Sequence, residues 1–324
     1  MKVCIIGAGS IGGLVAARLA KSDAKVSVVA RGEHLRAIAA NGLRLTSAEA
    51  PEIVAPVDAY GAIGDVPPQD LIVLAVKAHQ LTPIVDEIAQ LATKGGLFLT
   101  MQNGIPWWYF HKFGAAYEGQ VLESVDPGGR IAASLPIDCV LGSVVYPAAE
   151  ITAPGVIHLV EGNRFSLGEL DGQRTDRVEA VSQLFTQAGF KAPVASDLRG
   201  EIWTKLWGNM SFNPISALTG ATLAGICTHP AARGLAASMM KEAQAVGEAL
   251  GVRFRIPLEK RIAGAEAVGE HKTSMLQDVE AGRTTELEAL VGSIIELGRI
   301  TGIPTPSIDA VYACARLRED TPRG

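Results

Sequence analysis

The stretch Val3-Cys4-Ile5-Ile6-Gly7-Ala8-Gly9-Ser10-Ile11-Gly12 decides how the rest of the chain is read. Val3–Ile6 is a short, wholly apolar run, the pattern of a strand covered on both faces. Gly7 to Gly12 fits G-x-G-x-x-G. In that pattern Gly7 permits the tight turn after the strand. Gly9 lets a pyrophosphate approach the backbone, and Gly12 lets the next helix pack on the strand. The helix pattern that follows, roughly 11–21, would turn free N–H groups and a partial positive charge toward phosphate. Gly7, Ala8, Gly9, Ser10, Ile11 and Gly12 are therefore read as a dinucleotide cradle. The competing reading is a glycine-rich turn without a ligand. The setting between a strand and an amphipathic helix counts against it.

Working outward, residues 26–30, 71–76 and 96–100 read as further buried strands, with helix patterns at 34–40 and 81–92 between them. Alternating strand and helix imply a mostly parallel, doubly wound α/β sheet of Rossmann type. Shorter strands with glycine turns, in part antiparallel, are expected at 139–146, 156–159 and 164–167. A helix at 175–188 and a last strand near 192–195 follow. Beyond residue 197 strand signals stop, and helical patterns cover 198–213, 230–250, 257–268, 284–301 and 306–317. The expected organisation is a dinucleotide-binding domain, 1–196, followed by an all-helical substrate domain, 197–324. Residues 104–136 fit no clear pattern.

The chain has 324 residues and a formal charge of −5, with no Lys/Arg run, so neither nucleic acid nor an anionic membrane is an expected partner. Cys4, Cys139, Cys227 and Cys314 are scattered, with no CxxC or Cys/His spacing for a metal, and suit a reducing cytoplasm. Neither a signal-peptide pattern nor an apolar run long enough to span a bilayer is present.

The second strand bears on the choice of dinucleotide. NAD-binding folds usually end it with Asp or Glu for the ribose 2′-OH; here Val28-Val29-Ala30 ends in Arg31. A guanidinium can pair with a 2′-phosphate, so NADP(H) is the expected cofactor, although Glu33 stands two residues on. Lys77 and Asn103 follow later strands and would face the same cleft. Their plain readings are a solvated Lys and an Asn-Gly turn.

In the second half, Lys205, Asn209 and Asn213 stand at i, i+4 and i+8, one polar row on a helix otherwise lined by Trp203, Leu206, Trp207, Met210 and Phe212. A buried polar row needs partners or a ligand. A Lys with two carboxamides suits a carbonyl substrate, because the Lys can protonate the oxygen and the amides can bind hydroxyl or carboxylate. The alternative is a Lys that reaches solvent and Asn side chains bonded to backbone. Pro214 is expected to kink the helix.

Taken together, GAGSIG, Arg31, VKAHQ, QNG, KLWGNMSFNPISA and SMLQD followed by TE make the chain resemble the ketopantoate reductase (2-dehydropantoate 2-reductase) family over nearly its whole length. The resemblance implies reduction of a 2-oxo acid to the 2-hydroxy acid with NADPH, as in pantothenate biosynthesis. It implies Lys205 as general acid, with Glu286 orienting or binding it. Asn209, Asn213 and Ser274 would bind substrate, Ser274 near the carboxylate. Arg31 and Lys77 would hold NADP, and Asn103 would lie near the nicotinamide. Read without the resemblance, Ser274 simply opens a helix through a Ser-x-x-Gln capping box, and Glu286 is an acid in the first turn of the 284–301 helix.

Two departures stand out. His271 replaces an Asn that could contact substrate. Trp107-Trp108-Tyr109-Phe110, with extra length to Pro136, is either a core or homodimer patch or a set of rings reshaping the pocket for a larger 2-oxo acid. The runner-up function is a D-2-hydroxyacid (mandelate-like) dehydrogenase of the same architecture, with a non-catalytic dinucleotide sensor behind it.

Overall fold

The computed structural model of the chain describes residues 1–321. Its strands are β1 (Lys2–Ile6), β2 (Lys25–Val29), β3 (Leu43–Ser47), β4 (Ile53–Ala55), β5 (Asp58–Tyr60), β6 (Gln69–Leu74), β7 (Ala92–Thr100), β8 (Val140–Val145), β9 (Ala148–Ala153), β10 (Val156–Glu161) and β11 (Phe165–Gly168). They form a seven-stranded sheet of order β11-β8-β7-β6-β1-β2-β5 and a four-stranded sheet of order β4-β3-β10-β9. In the large sheet every neighbouring pair is parallel except β8 with β11. Val3, Cys4, Ile5 and Ile6 of β1 are at most 1% exposed, which is why a central strand reads as an unbroken apolar run. The chain winds from β1 to β2 and β5 on one side, then to β6, β7 and β8 on the other. The switch point between β1 and β6 is where such sheets bind ligands, beyond the carboxyl ends of the strands.

The small sheet covers the Ser10–Leu19 helix. A side chain at Gly13 would stand 2.7 Å from Ile157 of β10, so the absence of a Cβ there sets how closely the sheet approaches. Three of the four strands of this sheet, β3, β4 and β9, went unseen in the sequence. Its strands are short and largely exposed, and β9 (Ala-Ala-Glu-Ile-Thr-Ala) carries residues of low strand propensity.

Two further expectations need correction. The helix expected over 81–92 is split into Ala78–Leu81, a 3₁₀ turn Thr82–Ile84 and Val85–Ala89, with Ala92 already in β7. Pro83 has no N–H to continue the ladder. The strand expected at 192–195 is reduced to isolated bridges, Arg164 with Lys191 and Leu167 with Val194. Pro193 cannot donate there, although its carbonyl accepts from the Leu167 N–H.

The chain falls into two compact units. The first comprises Met1–Gln102, Trp108–Val121 and Gly128–Leu198; the second comprises Asn103–Trp107, Leu122–Pro127 and the chain from Arg199 on. In the first unit, Trp108, Tyr109 and Phe110 are at most 1% exposed. Tyr109 and Phe110 pack with Phe113 and Tyr117, and the Trp108 Nε1–H donates to Thr100 Oγ1. These three rings are packed in the core of the first unit.

The second unit is helical. Its long helix Leu198–Thr219 runs on past Pro214, so the expected end at 213 is corrected. Gly220 with φ +76° follows it as a left-handed terminator. Trp203 and Trp207 pack their rings against Phe254, and the Trp207 Nε1–H donates to the carbonyl of Met240 in the Pro230–Ala249 helix. Among the described residues no helix is long and apolar enough to cross a membrane, and no cluster of His, Cys, Asp and Glu could hold a metal.

The loop glycines differ sharply in what surrounds them. A methyl group at Gly12 would stand 2.0 Å from the Gly7 carbonyl oxygen, whereas one at Gly9 would meet nothing within 4 Å. Gly12→Ala is therefore expected to lower stability by about 1–3 kcal/mol in urea unfolding. Gly9→Ala should leave it within about 0.5 kcal/mol.

Candidate active site

In the first unit, β1 ends at the glycine loop. Gly7 adopts φ +96° and lies against Val76, at the end of β6. The Gly7 and Ala8 N–H groups donate to the carbonyl of Val29 at the end of β2. Gly9 is the N-cap of the Ser10–Leu19 helix and offers no side-chain cap, which leaves first-turn N–H groups for an anion. Open space at Gly9 and close packing at Gly7 and Gly12 are what a pyrophosphate cradle requires, so these residues fit a dinucleotide.

Arg31 is exposed at the N-cap of the Gly32–Asn41 helix, directly after β2. Lys77 follows β6 one residue beyond Val76, and its backbone N–H donates to Gln80 Oε1. One contributor was missed in the sequence: His34. Its Nδ1 accepts the Gly155 N–H at 3.0 Å, so Nε2 carries the proton and donates to the Ala8 carbonyl at 2.8 Å. The signal was a His three residues after Arg31. Nothing in the sequence placed it over the loop.

In the second unit the structure brings three expected residues together. The Lys205 ammonium donates to Asn103 Oδ1 at 2.5 Å, and Asn103 Nδ2 donates to Glu286 Oε2 at 3.1 Å. An ammonium can only donate and a carboxylate can only accept, so this chain of bonds fixes the orientation of the amide. Burial pulls Lys205 down to about 8, with the nearby Glu286 charge opposing the shift. Below that pH the ammonium predominates and is a ready proton donor.

Each member is positioned by its element. Lys205 projects from the Leu198–Thr219 helix. Glu286 precedes the helical run, not inside its first turn as the 284–301 reading had it, and its carbonyl accepts from the Leu290 N–H. A π turn follows, Glu288–Gly292, before the regular helix Ser293–Thr301. The wider turn leaves the Ala289 carbonyl to accept from the Ile105 N–H at 3.0 Å and from Ser293 Oγ at 2.8 Å. Asn103 is held by this clamp. Gly104 takes φ +89°, and a methyl group there would stand 2.1 Å from the Ala289 oxygen.

Asn209 is half-buried and Asn213 is 5% exposed, one and two turns beyond Lys205. Neither side chain has a hydrogen-bond partner among the described residues. Open amides on a largely buried helix face can take up a polar ligand. Ser274 is exposed at the first position of the Ser274–Glu280 helix. The cap is Thr273, whose Oγ1 accepts from the Leu276 N–H, so the capping-box reading moves back one residue and leaves the Ser274 hydroxyl out of the cap. No bond joins Ser274 to the Lys205 network among the described residues.

The clamp predicts the behaviour of Gly104→Ala. The methyl group should push the turn off Ala289 and shift Asn103 away from Lys205. Turnover of a 2-oxo acid should fall about 100-fold with circular dichroism unchanged. Wild-type turnover in the folded variant would show that the clamp does not position Asn103.

Residues 3–172 match the family model described as "Ketopantoate reductase PanE/ApbA", and residues 197–319 match its C-terminal counterpart. A 2-dehydropantoate 2-reductase of Mesorhizobium japonicum is 56% identical over 317 residues, 98% of this chain and 97% of that protein. A Ralstonia solanacearum MolK2 protein, crystallised as a candidate ketopantoate reductase, superposes with TM-score 0.93 at 39% identity, covering 98% of this chain and 97% of the other. D-mandelate dehydrogenase in complex with NADH and anilino(oxo)acetate superposes with TM-score 0.83 at 22% identity, covering 99% and 98%, a likeness of fold alone. Enzymes of the 2-dehydropantoate 2-reductase family use NADPH. The chain belongs to the ketopantoate reductase family and is an oxidoreductase acting on CH–OH groups.

Proposed function

We propose that the chain reduces 2-dehydropantoate (ketopantoate) to the corresponding 2-hydroxy acid with NADPH, in the cytoplasm and as a homodimer. The observation that carries this reading is the Lys205–Asn103–Glu286 chain of hydrogen bonds in the helical unit of a ketopantoate reductase family member. The loop Gly7–Gly12 would hold the pyrophosphate. Arg31 would pair with the 2′-phosphate, and Lys77 would add positive charge beside the loop. NADPH, when bound, supplies the hydride.

The chain's own residues do the rest. The Lys205 ammonium meets the keto oxygen, stabilises the negative charge that develops on it and passes it a proton. Asn103 holds the ammonium in place through Oδ1, and Glu286 fixes the amide from the other side. The Glu286 charge also favours recovery of the proton by Lys205 from solvent. Asn209 and Asn213 offer open amides for the hydroxyl and carboxylate of the acid. Four cysteines, none in a disulfide, fit the reducing compartment.

The reading is tested by following NADPH absorbance with ketopantoate, phenylglyoxylate and branched 2-oxo acids, and again with NADH. Ketopantoate should give the highest kcat/KM, and NADPH should exceed NADH by about tenfold or more. A preference for phenylglyoxylate, or no turnover of any 2-oxo acid, overturns it. A second expectation concerns pH. Because the acid form of Lys205 is the active one, kcat for reduction should fall as pH rises through about 8. Lys205→Ala should lower kcat by about 100-fold or more and abolish that limb, with NADPH affinity unchanged.

A further inference from the structure

The peptide between Ala8 and Gly9 differs from its neighbours in the glycine loop. The peptide before it is held through the Ala8 N–H, which donates to the Val29 carbonyl at 3.2 Å. The peptide after it is held through the Gly9 carbonyl, which accepts from the Gly13 N–H at 2.7 Å at the start of the Ser10–Leu19 helix. Both are backbone bonds, supplied by a strand end and a helix. The Ala8–Gly9 peptide has neither. Among the described residues its carbonyl is held by one group, His34 Nε2–H at 2.8 Å, and its N–H has no partner.

This peptide is also the one most free to turn over. A flip changes ψ of the residue before the plane and φ of the residue after it, and a following glycine tolerates either sign of φ. Gly9 lacks a side chain so that a phosphate can come close, and the same lack lets the plane swing. A trans peptide points its C=O and N–H in opposite directions, and the described residues contain no cis bond. With the Ala8 oxygen fixed on His34, the Gly9 N–H is turned away from the ring. Ala8 is buried, whereas Gly9, Ser10 and Ile11 are partly exposed. The Gly9 N–H thus joins the open N–H groups of the first helical turn.

His34 is itself gripped from the other side. Its Nδ1 accepts the Gly155 N–H at 3.0 Å. Gly155 turns the chain between β9 and β10 with φ +76°, and its carbonyl accepts from the Arg44 N–H of β3 at 2.9 Å. A methyl group on Gly155 would stand 3.0 Å from Ala37 Cβ, so the turn seats tightly on the Gly32–Asn41 helix. Only one tautomer satisfies both nitrogens, and in it the donor faces the loop.

We propose that His34 is a positioning residue for the cofactor pyrophosphate, locking the Ala8–Gly9 peptide in the orientation that offers the Gly9 N–H to the phosphates. This rests on the reading of Gly7–Gly12 as a dinucleotide cradle. His34 acts through the peptide, so its loss should appear in the affinity for NADPH and not in kcat.

The two bonds of the ring can be separated by substitution. In His34→Gln the side-chain amide reaches as far as Nε2 and keeps a donor for the Ala8 carbonyl. In His34→Asn it reaches only as far as Nδ1 and keeps an acceptor for Gly155. Calorimetry on each folded protein measures the dissociation constants of NADPH and of adenosine 2′-monophosphate, which carries the 2′-phosphate without a pyrophosphate. His34→Asn should bind NADPH about tenfold more weakly, with adenosine 2′-monophosphate within about twofold and kcat at saturating NADPH within a few-fold. His34→Gln should hold NADPH within about threefold of wild type. Its melting temperature should fall below that of His34→Asn, because the buried Gly155 N–H loses its acceptor. Equal losses of NADPH affinity in the two variants overturn the inference. So do wild-type NADPH affinity in His34→Asn and a parallel loss of adenosine 2′-monophosphate. If one variant does not fold, the other decides by the ratio of the two dissociation constants, expected to shift in His34→Asn and to stay unchanged in His34→Gln. A wild type that binds NADPH no more tightly than adenosine 2′-monophosphate would instead remove the reading of the loop as a pyrophosphate cradle, and the inference with it.

Discussion

A lysine ammonium taken out of water is the constraint around which the helical unit is arranged. Burial disfavours the charged form of Lys205, and the charge persists near neutral pH because an amide oxygen and, one bond further, a carboxylate answer it. Every feature nearby serves that pairing. The π turn frees the Ala289 carbonyl, the carbonyl grips the Ile105 N–H, and the absence of a side chain at Gly104 lets the turn sit close enough for Asn103 to reach both partners. A direct ion pair with Glu286 would hold the proton more tightly and donate it less readily. An intervening amide transmits orientation and part of the field while leaving the lysine pKa in a useful range.

The dinucleotide unit solves a different problem. A phosphate cradle needs backbone N–H groups that point outward and stay there. The three glycines of the loop divide the work: two allow close packing beneath the turn and one keeps the outer face open. His34 adds a tie from the following helix to the Ala8 carbonyl, and the Gly155 N–H fixes its tautomer from the small sheet. The small sheet thus does more than cover the first helix. It also sets which nitrogen of that histidine carries the proton.

Local patterns were legible in the sequence and long-range partnerships were not. The apolar run before Gly7, the glycine spacing and the i, i+4, i+8 row at Lys205 are all contained within a few helical turns, and each emerged as read. Arg31 and Lys77 stand directly after strands of the large sheet, where the sequence put them. The Asn103 link could not be read, because an Asn-Gly pair after a strand looks like any turn until the Ala289 carbonyl is set against it. The segment 104–136 resisted assignment for a physical reason. It passes between the two units more than once, so no single burial pattern runs through it. Its aromatic residues 108–110 follow no period, and Tyr109 and Phe110 pack on each other and on Phe113.

The bonds at Lys205 also have an order in time. Asn103 and Lys205 are 102 residues apart, and Asn103 and Glu286 are 183 apart. Both are closures of long chain segments, which form late and slowly compared with local helix and turn contacts. During synthesis Asn103 leaves the ribosome well before either partner exists, while β1 to β7 can already begin to pair. Residues 103–107 and 122–127 must then wait, as side branches of a forming sheet, for the helices that will receive them. The Lys205–Asn103–Glu286 chain of bonds is thus completed only when the last helical segments have been made. An unfinished or truncated chain could offer a dinucleotide cradle but not the means to use it.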